Sequence, residues 1–292
     1  MTHSGSAKSM VGKRVLVTGA NSGIGLWTAR RLAEQGAELV LVCRDADRGA
    51  AVYNELTDMA LAAPTLLLAD LSSQDAVRRL ATEVQAAFDH LDVLVNNAGS
   101  VFNKRELTVD GIEKTFAVNH LAPFLLTNLL AGMLAAAPQG RVVTVASEAH
   151  AARLDFDNLQ GERKYQFFKA YAASKTANIL FTYELARRTP ESRFTVNAVS
   201  PGPSRTNFGG NLTGAAAAFP KIMKSMPFFH SAEKGSRVVV FAAGDPDLTG
   251  ISGQFFMKSK PRKSKPVTHD ESVAARLWAV SEELTSSTVS PR

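Results

Sequence analysis

A single cysteine, Cys43, stands in the 292 residues, so no intramolecular disulfide can form and a thiolate metal site has too few ligands. An intracellular, cytoplasmic setting is the expectation for such a chain. None of the six histidines pairs with another at helical metal-ligand spacing, and no metal is expected. Clean apolar runs are missing too. The first ten residues, MTHSGSAKSM, lack the apolar core of a signal peptide and are expected to form a flexible lead-in, 1–10. The most apolar window, Ala117 to Pro138, is broken by Asn119, His120, Pro123, Thr127 and Asn128. It falls short of the roughly 20 clean residues that a membrane span needs and reads as a buried helix. Acidic residues are in deficit, 27 against 33 basic, for a net charge of +6. Five of the cations, Lys258, Lys260, Arg262, Lys263 and Lys265, fall in one acid-free segment, and without them the net charge is +1. The basic residues are not interleaved with aromatics, so nucleic acid is not an expected partner and the segment reads as a solvated loop.

What is present is a globular composition, 45% hydrophobic and 21% charged, without repeats or a linker-like shift. Short apolar runs recur at Arg14–Thr18, Glu38–Cys43, Thr65–Ala69, Asp92–Asn96, Arg141–Ala146, Arg193–Val199 and Gln254–Met257. They do not alternate with polar residues, and helix-length segments separate them. That pattern predicts parallel strands buried on both faces. Ile24–Gln35 is a predicted helix closed by Gly36. The expected fold is α/β: one Rossmann domain over 11–292, with a doubly wound, mostly parallel seven-stranded sheet and helices on both faces.

The first strand-to-helix junction reads Thr18-Gly19-Ala20-Asn21-Ser22-Gly23-Ile24-Gly25. A pyrophosphate reaches the amides that open a helix only where the chain turns tightly and no side chain intervenes. Gly19 suits the turn, Gly23 the close approach and Gly25 the packing of helix on strand. Asn21, Ser22 and Ile24 complete this candidate cofactor loop. An acidic residue ending the second strand would select NAD; here Cys43 and Arg44 occupy that region, followed by Asp45. A guanidinium binds phosphate through paired hydrogen bonds, so NADP(H) is the expected cofactor. Asp70 and Leu71 follow the third strand, where a carboxylate could accept from the adenine amino group. Asn97, Ala98 and Gly99 follow the fourth, leaving room for the cofactor.

Tyr171 and Lys175 are four residues apart, on one face if helical. Bringing a phenol from its ordinary pKa of about 10 to about 7 needs roughly 4 kcal/mol of preferential phenolate stabilisation. An exposed ion pair supplies at most about 1 kcal/mol, so Lys175 must act in a drier pocket.

The order of Thr18–Gly25, Asn96–Gly99, Asn119, Ser147, Tyr171/Lys175 and Pro201-Gly202 resembles the short-chain dehydrogenase/reductase family over about Val11 to Leu284. Phe116–His120, Asn158–Glu162 and Ala275–Trp278 resemble its retinol-dehydrogenase-like branch. The resemblance implies a catalytic set. Tyr171 would be the general acid in reduction and the base in oxidation. Lys175 would bind the nicotinamide ribose and lower the tyrosine pKa. Ser147 would donate a hydrogen bond to the substrate oxygen. Asn119 would hold a helix bend and position a relay water. Pro201, Gly202 and Thr206 would line the nicotinamide side. Ala146-Ser147 departs from the serine pair of many relatives; Ser147 keeps the register of the later serine. A membrane anchor common in animal relatives has no counterpart here, which weighs against retinoid specificity more than against the chemistry.

The implied activity is NADPH-dependent, reversible reduction of a lipophilic ketone or aldehyde. A substrate loop over about 203–232, carrying Met223, Met226, Phe228 and Phe229, supplies an adaptable apolar cover. His120 and His150 are expected in hydrogen bonding or packing. Helices around Leu121–Ala136 and Ala172–Arg187 could pair across a homodimer or homotetramer. The alternative is a non-catalytic NADPH-binding scaffold.

Overall fold

The computed structural model describes residues 9–189, 194–205 and 229–286. Strand β1 (Arg14–Thr18) leads through α1 (Gly23–Glu34) to β2 (Glu38–Cys43), α2 (Ala46–Thr57), β3 (Thr65–Leu68), α3 (Gln74–Ala87) and β4 (Val93–Asn96). A one-turn α4 (Lys114–Phe116), a π-helical turn (Ala117–Leu121) and α5 (Ala122–Ala136) then form one interrupted helix. The chain continues through β5 (Gly140–Val145), α6 (Phe167–Arg188), β6 (Phe194–Ser200) and the two-residue β7 (Ser204–Arg205). It closes with β8 (His230–Ser231), α7 (Ala232–Gly244), β9 (Gln254–Met257), β10 (Lys260–Pro261) and α8 (Glu271–Ser286).

The main sheet runs β10-β9-β6-β5-β4-β1-β2-β3, and every pairing except β10–β9 is parallel. Each expected strand is present within a residue or two of its expected bounds; Arg193 lies outside the described residues. Their apolar continuity follows from burial on both faces. Val15 and Val17 join the core under α1 and α7, whereas Leu16 between them joins the core under α3 and α5. Each such fully buried aliphatic side chain stabilises the fold by roughly 1.5–3 kcal/mol.

Two expectations need correction. The sheet has eight strands rather than seven, because the basic segment read as a solvated loop begins with β10. Lys258 and Ser259 both take positive φ, 53° and 54°, and so make the tight two-residue turn from β9 to β10. The cationic side chains are exposed while the backbone is folded: Arg262 N–H donates to Phe255 O at 2.8 Å. The expected flexible lead-in also does not extend to Met10. Met10 is buried and its N–H donates to Gln35 O at 3.0 Å, while residues 1–8 lie outside the described ones.

Among the described residues one helical stretch, Lys114–Ala136, is long and apolar enough to cross a membrane, and 72% of its most apolar window is buried in the fold. The α5 and α6 surfaces expected at a subunit interface are largely covered within the chain. Trp278 of α8 sits 4.9 Å from the Phe124 ring and stacks at 6.0 Å on Phe181.

His120 lies among these rings, 5.1 Å from Phe116 and 6.2 Å from Phe181, with Nε2 2.9 Å from Ser281 Oγ. Complete burial drives its pKa down to about 3, opposed by the nearby Asn178 side chain. The folded state therefore holds a neutral ring that the unfolded chain would protonate below about pH 6.5. Stability from this group is complete above that pH and declines as pH falls toward 3. Between pH 7 and pH 5 the protein is expected to lose about 2 kcal/mol through His120. Urea unfolding of the parent and His120→Gln at both pH values checks this; an equal pH dependence in the two would contradict it.

Candidate active site

The carboxyl ends of β1, β4, β5 and β6 open into one cleft of about 580 Å³. At its β1 end the chain turns at Gly19, φ +66°, and the Gly19 N–H donates to Val42 O at 2.9 Å. Asn97 fastens this turn to the β4 loop, its Nδ2 donating to Thr18 O at 2.7 Å. Thr18 Oγ1 in return accepts the N–H groups of Asn97 and Ala98, each at 3.0 Å. A Cβ on Gly25 would stand 2.2 Å from Gly19 O, so the α1 start can approach β1 only as glycine.

The first turn of α1 differs from its neighbours. Asp45, Ser73 and Ser231 cap α2, α3 and α7 with side-chain oxygens, but Ser22 makes no such bond and no acid follows it. The amides opening α1 are thus left for an anion, and the glycine cradle gives it room. Asp45, the acid that clouds the choice between NAD and NADP, has Oδ1 committed to the Arg48 N–H at 2.9 Å. Arg44 and Arg48 both line the cleft. Arg48 was not evident from sequence, because only the α2 cap reveals that its turn faces the cleft. Asp70 and Leu71 line the same end, with Asp70 Oδ1 accepting the Ser72 N–H at 3.0 Å.

Ser147, Tyr171 and Lys175, at and beyond the end of β5, line the same cleft, as do Pro201 and Gly202 after β6. Ser147 hydrogen-bonds Tyr171, while burial pushes the phenol up to about 12. Lys175, 4% exposed, is driven down to about 8 by burial. Its Nζ donates to Val145 O at 2.8 Å and stands 5.8 Å from the Tyr171 ring centre. The dry pocket expected for Lys175 is present, yet in the protein alone the phenol is raised rather than lowered. Thr206, Met223, Met226 and Phe228 lie outside the described residues; Phe229 is described and lines the cleft. Phe168, 50% exposed, lines the same cleft and was not singled out by sequence.

Asn119 is not a lining residue. It is fully buried in the π-turn, where Nδ2 donates to Ser100 O at 2.9 Å and to Ser174 Oγ at 3.0 Å, and Oδ1 accepts the Ser100 N–H at 2.7 Å. Ser174 Oγ donates to Tyr171 O at 2.7 Å, so Asn119 braces the turn that carries Tyr171. π-Turns concentrate at functional sites because the extra residue re-aims the local backbone. A larger groove of about 700 Å³, between α6, β9 and the start of α8, contains none of these residues.

Nucleotide cradle, strand order and the Ser-Tyr-Lys group agree with similarity to known proteins. Residues 13–216 match the family model for short chain dehydrogenase. Retinol dehydrogenase 14 of Mus musculus is 39% identical over 289 residues, covering 94% of this chain and 86% of the relative. A Streptomyces sp. (strain C5) protein provisionally assigned as the daunorubicin C-13 ketoreductase DnrU is 39% identical over 274 residues, covering 92% and 91%. A Shigella flexneri 2a str. 301 protein provisionally assigned as a short chain dehydrogenase, solved with NADP, shares the fold at a TM-score of 0.69 and 24% identity, covering 87% of this chain and all of that one. The chain belongs to the short-chain dehydrogenase/reductase family and is retinol-dehydrogenase-like within it. It is an oxidoreductase of CH–OH and C=O groups that uses a nicotinamide cofactor.

Proposed function

We propose that this protein is an NADPH-dependent reductase of lipophilic ketones or aldehydes, reversible as an alcohol dehydrogenase. The observation that carries the reading is one cleft lined by the open start of α1, by Arg44 and Arg48, and by Ser147, Tyr171 and Lys175. Phe168 and Phe229 in the cleft lining support an apolar substrate. Gly19, Asn21, Ser22, Gly23, Ile24 and Gly25 would hold the pyrophosphate, Asp70 and Leu71 the adenine, and Asn97, Ala98, Gly99, Pro201 and Gly202 the nicotinamide half. Arg44 and Arg48 would hold the 2′-phosphate, beside Asp45, which also lines the cleft and whose Oδ1 caps α2. Thr206 would complete the nicotinamide side.

When bound, the cofactor supplies a hydride. Ser147 donates a hydrogen bond to the substrate oxygen, and Tyr171 transfers its phenolic proton to that oxygen as negative charge develops. A phenol held near 12 is protonated at neutral pH, the state from which Tyr171 can donate. Lys175 has donor capacity beyond its bond to Val145 O and would hold the ribose hydroxyls. Its ammonium would also stabilise the phenolate left behind. Asn119 would act by position, keeping the Tyr171 turn aligned. The cytoplasmic reading rests on the lone, buried thiol of Cys43. A homodimer or homotetramer belongs to the same proposal, through surfaces other than the covered parts of α5 and α6.

The test is consumption of NADPH and NADH across apolar aldehydes and ketones. Arg44→Ala and Arg48→Ala are each expected to raise the KM for NADPH roughly 10- to 100-fold, the loss of one charge-assisted contact, and to change that for NADH little. Equal losses with both cofactors would contradict the phosphate role. NADPH binding without turnover of any carbonyl would favour the scaffold alternative.

A further inference from the structure

We infer that His150 is a positioning residue for Ser147, tying the Ser147 carbonyl to the basic strap that follows β10 and so fixing where the Ser147 hydroxyl points. The inference rests on the role proposed for Ser147. His150 is 3% exposed, and both ring nitrogens are engaged. Nε2 accepts the Lys265 N–H at 3.0 Å. An accepting Nε2 places the ring proton on Nδ1, from which it is donated to Ser147 O. Phe255 packs edge-on against the ring at 5.0 Å.

The strap is anchored independently of its charges. Ser264, 4% exposed, meets the Tyr183 hydroxyl of α6 at 2.7 Å, Thr268 Oγ1 at 2.6 Å and His269 Nε2 at 3.0 Å. A hydrogen-bonded path therefore runs from α6 through Ser264 and the Lys265 amide to His150 and Ser147. The same turn holds the Ser147 hydroxyl, whose Oγ accepts the Ala149 N–H at 3.2 Å and which meets Tyr171. A shift of the Ser147 carbonyl would re-aim that hydroxyl away from the phenol. The basic segment thus contributes to the site through one backbone amide, while its five cations are exposed at the surface.

The path requires a neutral ring. A second proton on Nε2 would oppose the Lys265 N–H and add charge beside the Lys265 and His269 side chains, with Glu148 the one acid acting on the ring. Burial holds the His150 pKa below the ordinary histidine range, so the path is intact at neutral pH and opens on acidification.

Lys265 has φ −64° and ψ 148°, which proline adopts without strain. Lys265→Pro removes the amide hydrogen, and Lys265→Ala removes the charge while keeping it. With NADPH and the best carbonyl substrate, kcat of Lys265→Pro is expected about five- to tenfold below that of Lys265→Ala, with little change in KM. His150→Phe should lose at least as much. The parent is expected to show an acid limb in its kcat–pH profile, and His150→Asn, whose side-chain amide can donate to Ser147 O, should recover most of kcat and lose that limb. Ser147→Ala separates the failures. If it stays active, the proposed role of Ser147 is wrong and the inference falls with it. If it is inactive while Lys265→Pro equals Lys265→Ala, or His150→Asn is as impaired as His150→Phe, His150 only packs and the inference is overturned. Should His150→Phe fail to fold, the Lys265 pair decides.

Discussion

Tyr171→Phe is expected to lower turnover of every carbonyl substrate by about 10³- to 10⁴-fold while leaving NADPH affinity within about threefold of the parent. The substitution keeps the ring and deletes only the phenol oxygen, so packing of α6 against β5 is preserved. What it removes is the proton donor, a loss of roughly 4–5.5 kcal/mol of transition-state stabilisation at 1.36 kcal/mol per tenfold. Among the described residues Tyr171 is the one tyrosine lining the cleft, so no other phenol stands ready to replace it. Single-turnover NADPH oxidation checks the rate, and fluorescence titration with NADPH checks binding. A mutant that keeps more than a tenth of parental turnover would move the acid elsewhere. Lys175→Met should differ in kind, weakening cofactor binding and turnover together.

Gly25→Ala is expected to destabilise the protein by about 3 kcal/mol or more, the upper range for overpacking, and to abolish measurable cofactor binding. Its added Cβ would lie 2.2 Å from Gly19 O and 2.4 Å from Asn97 Nδ2. The first is a backbone atom of the tightest turn in the cradle, and moving it separates α1 from β1. The second is the amide that fastens the β4 loop to Thr18 O. The thermal midpoint should fall by roughly 6–12 °C. Gly132→Ala in α5 is the matched control, since its added Cβ meets nothing within 4 Å. That change should be neutral or stabilising by up to about 1 kcal/mol, as alanine is the better helix former. If the two variants melt together, the steric account of Gly25 is wrong.

Much of this molecule follows from short-range rules. Apolar runs without alternation require burial on both faces, and seven of the eight strands of the main sheet follow from them. The glycines at 19 and 25 announce the tight strand-to-helix turn because only the missing Cβ permits its geometry. The positions of Ser147, Tyr171 and Lys175 were legible through resemblance, and all three line one cleft with the cradle.

Tertiary structure alone decided how polar groups pair. Asn119 braces Ser100 and Ser174 instead of lining the cleft. The basic segment reads as solvent-facing because five charges exclude burial of its side chains. Its backbone nevertheless adds β10 to the sheet edge and lends one amide to His150, 115 positions earlier in the chain. Apolar periodicity is written locally, because it needs only a face to bury. A hydrogen bond needs its partner within about 3 Å, and for Asn119 and His150 that partner comes from a distant part of the chain. The sequence by itself therefore determined the layered sheet and its glycine turn, and the packed chain determined which donors and acceptors meet around Ser147, Tyr171 and Lys175.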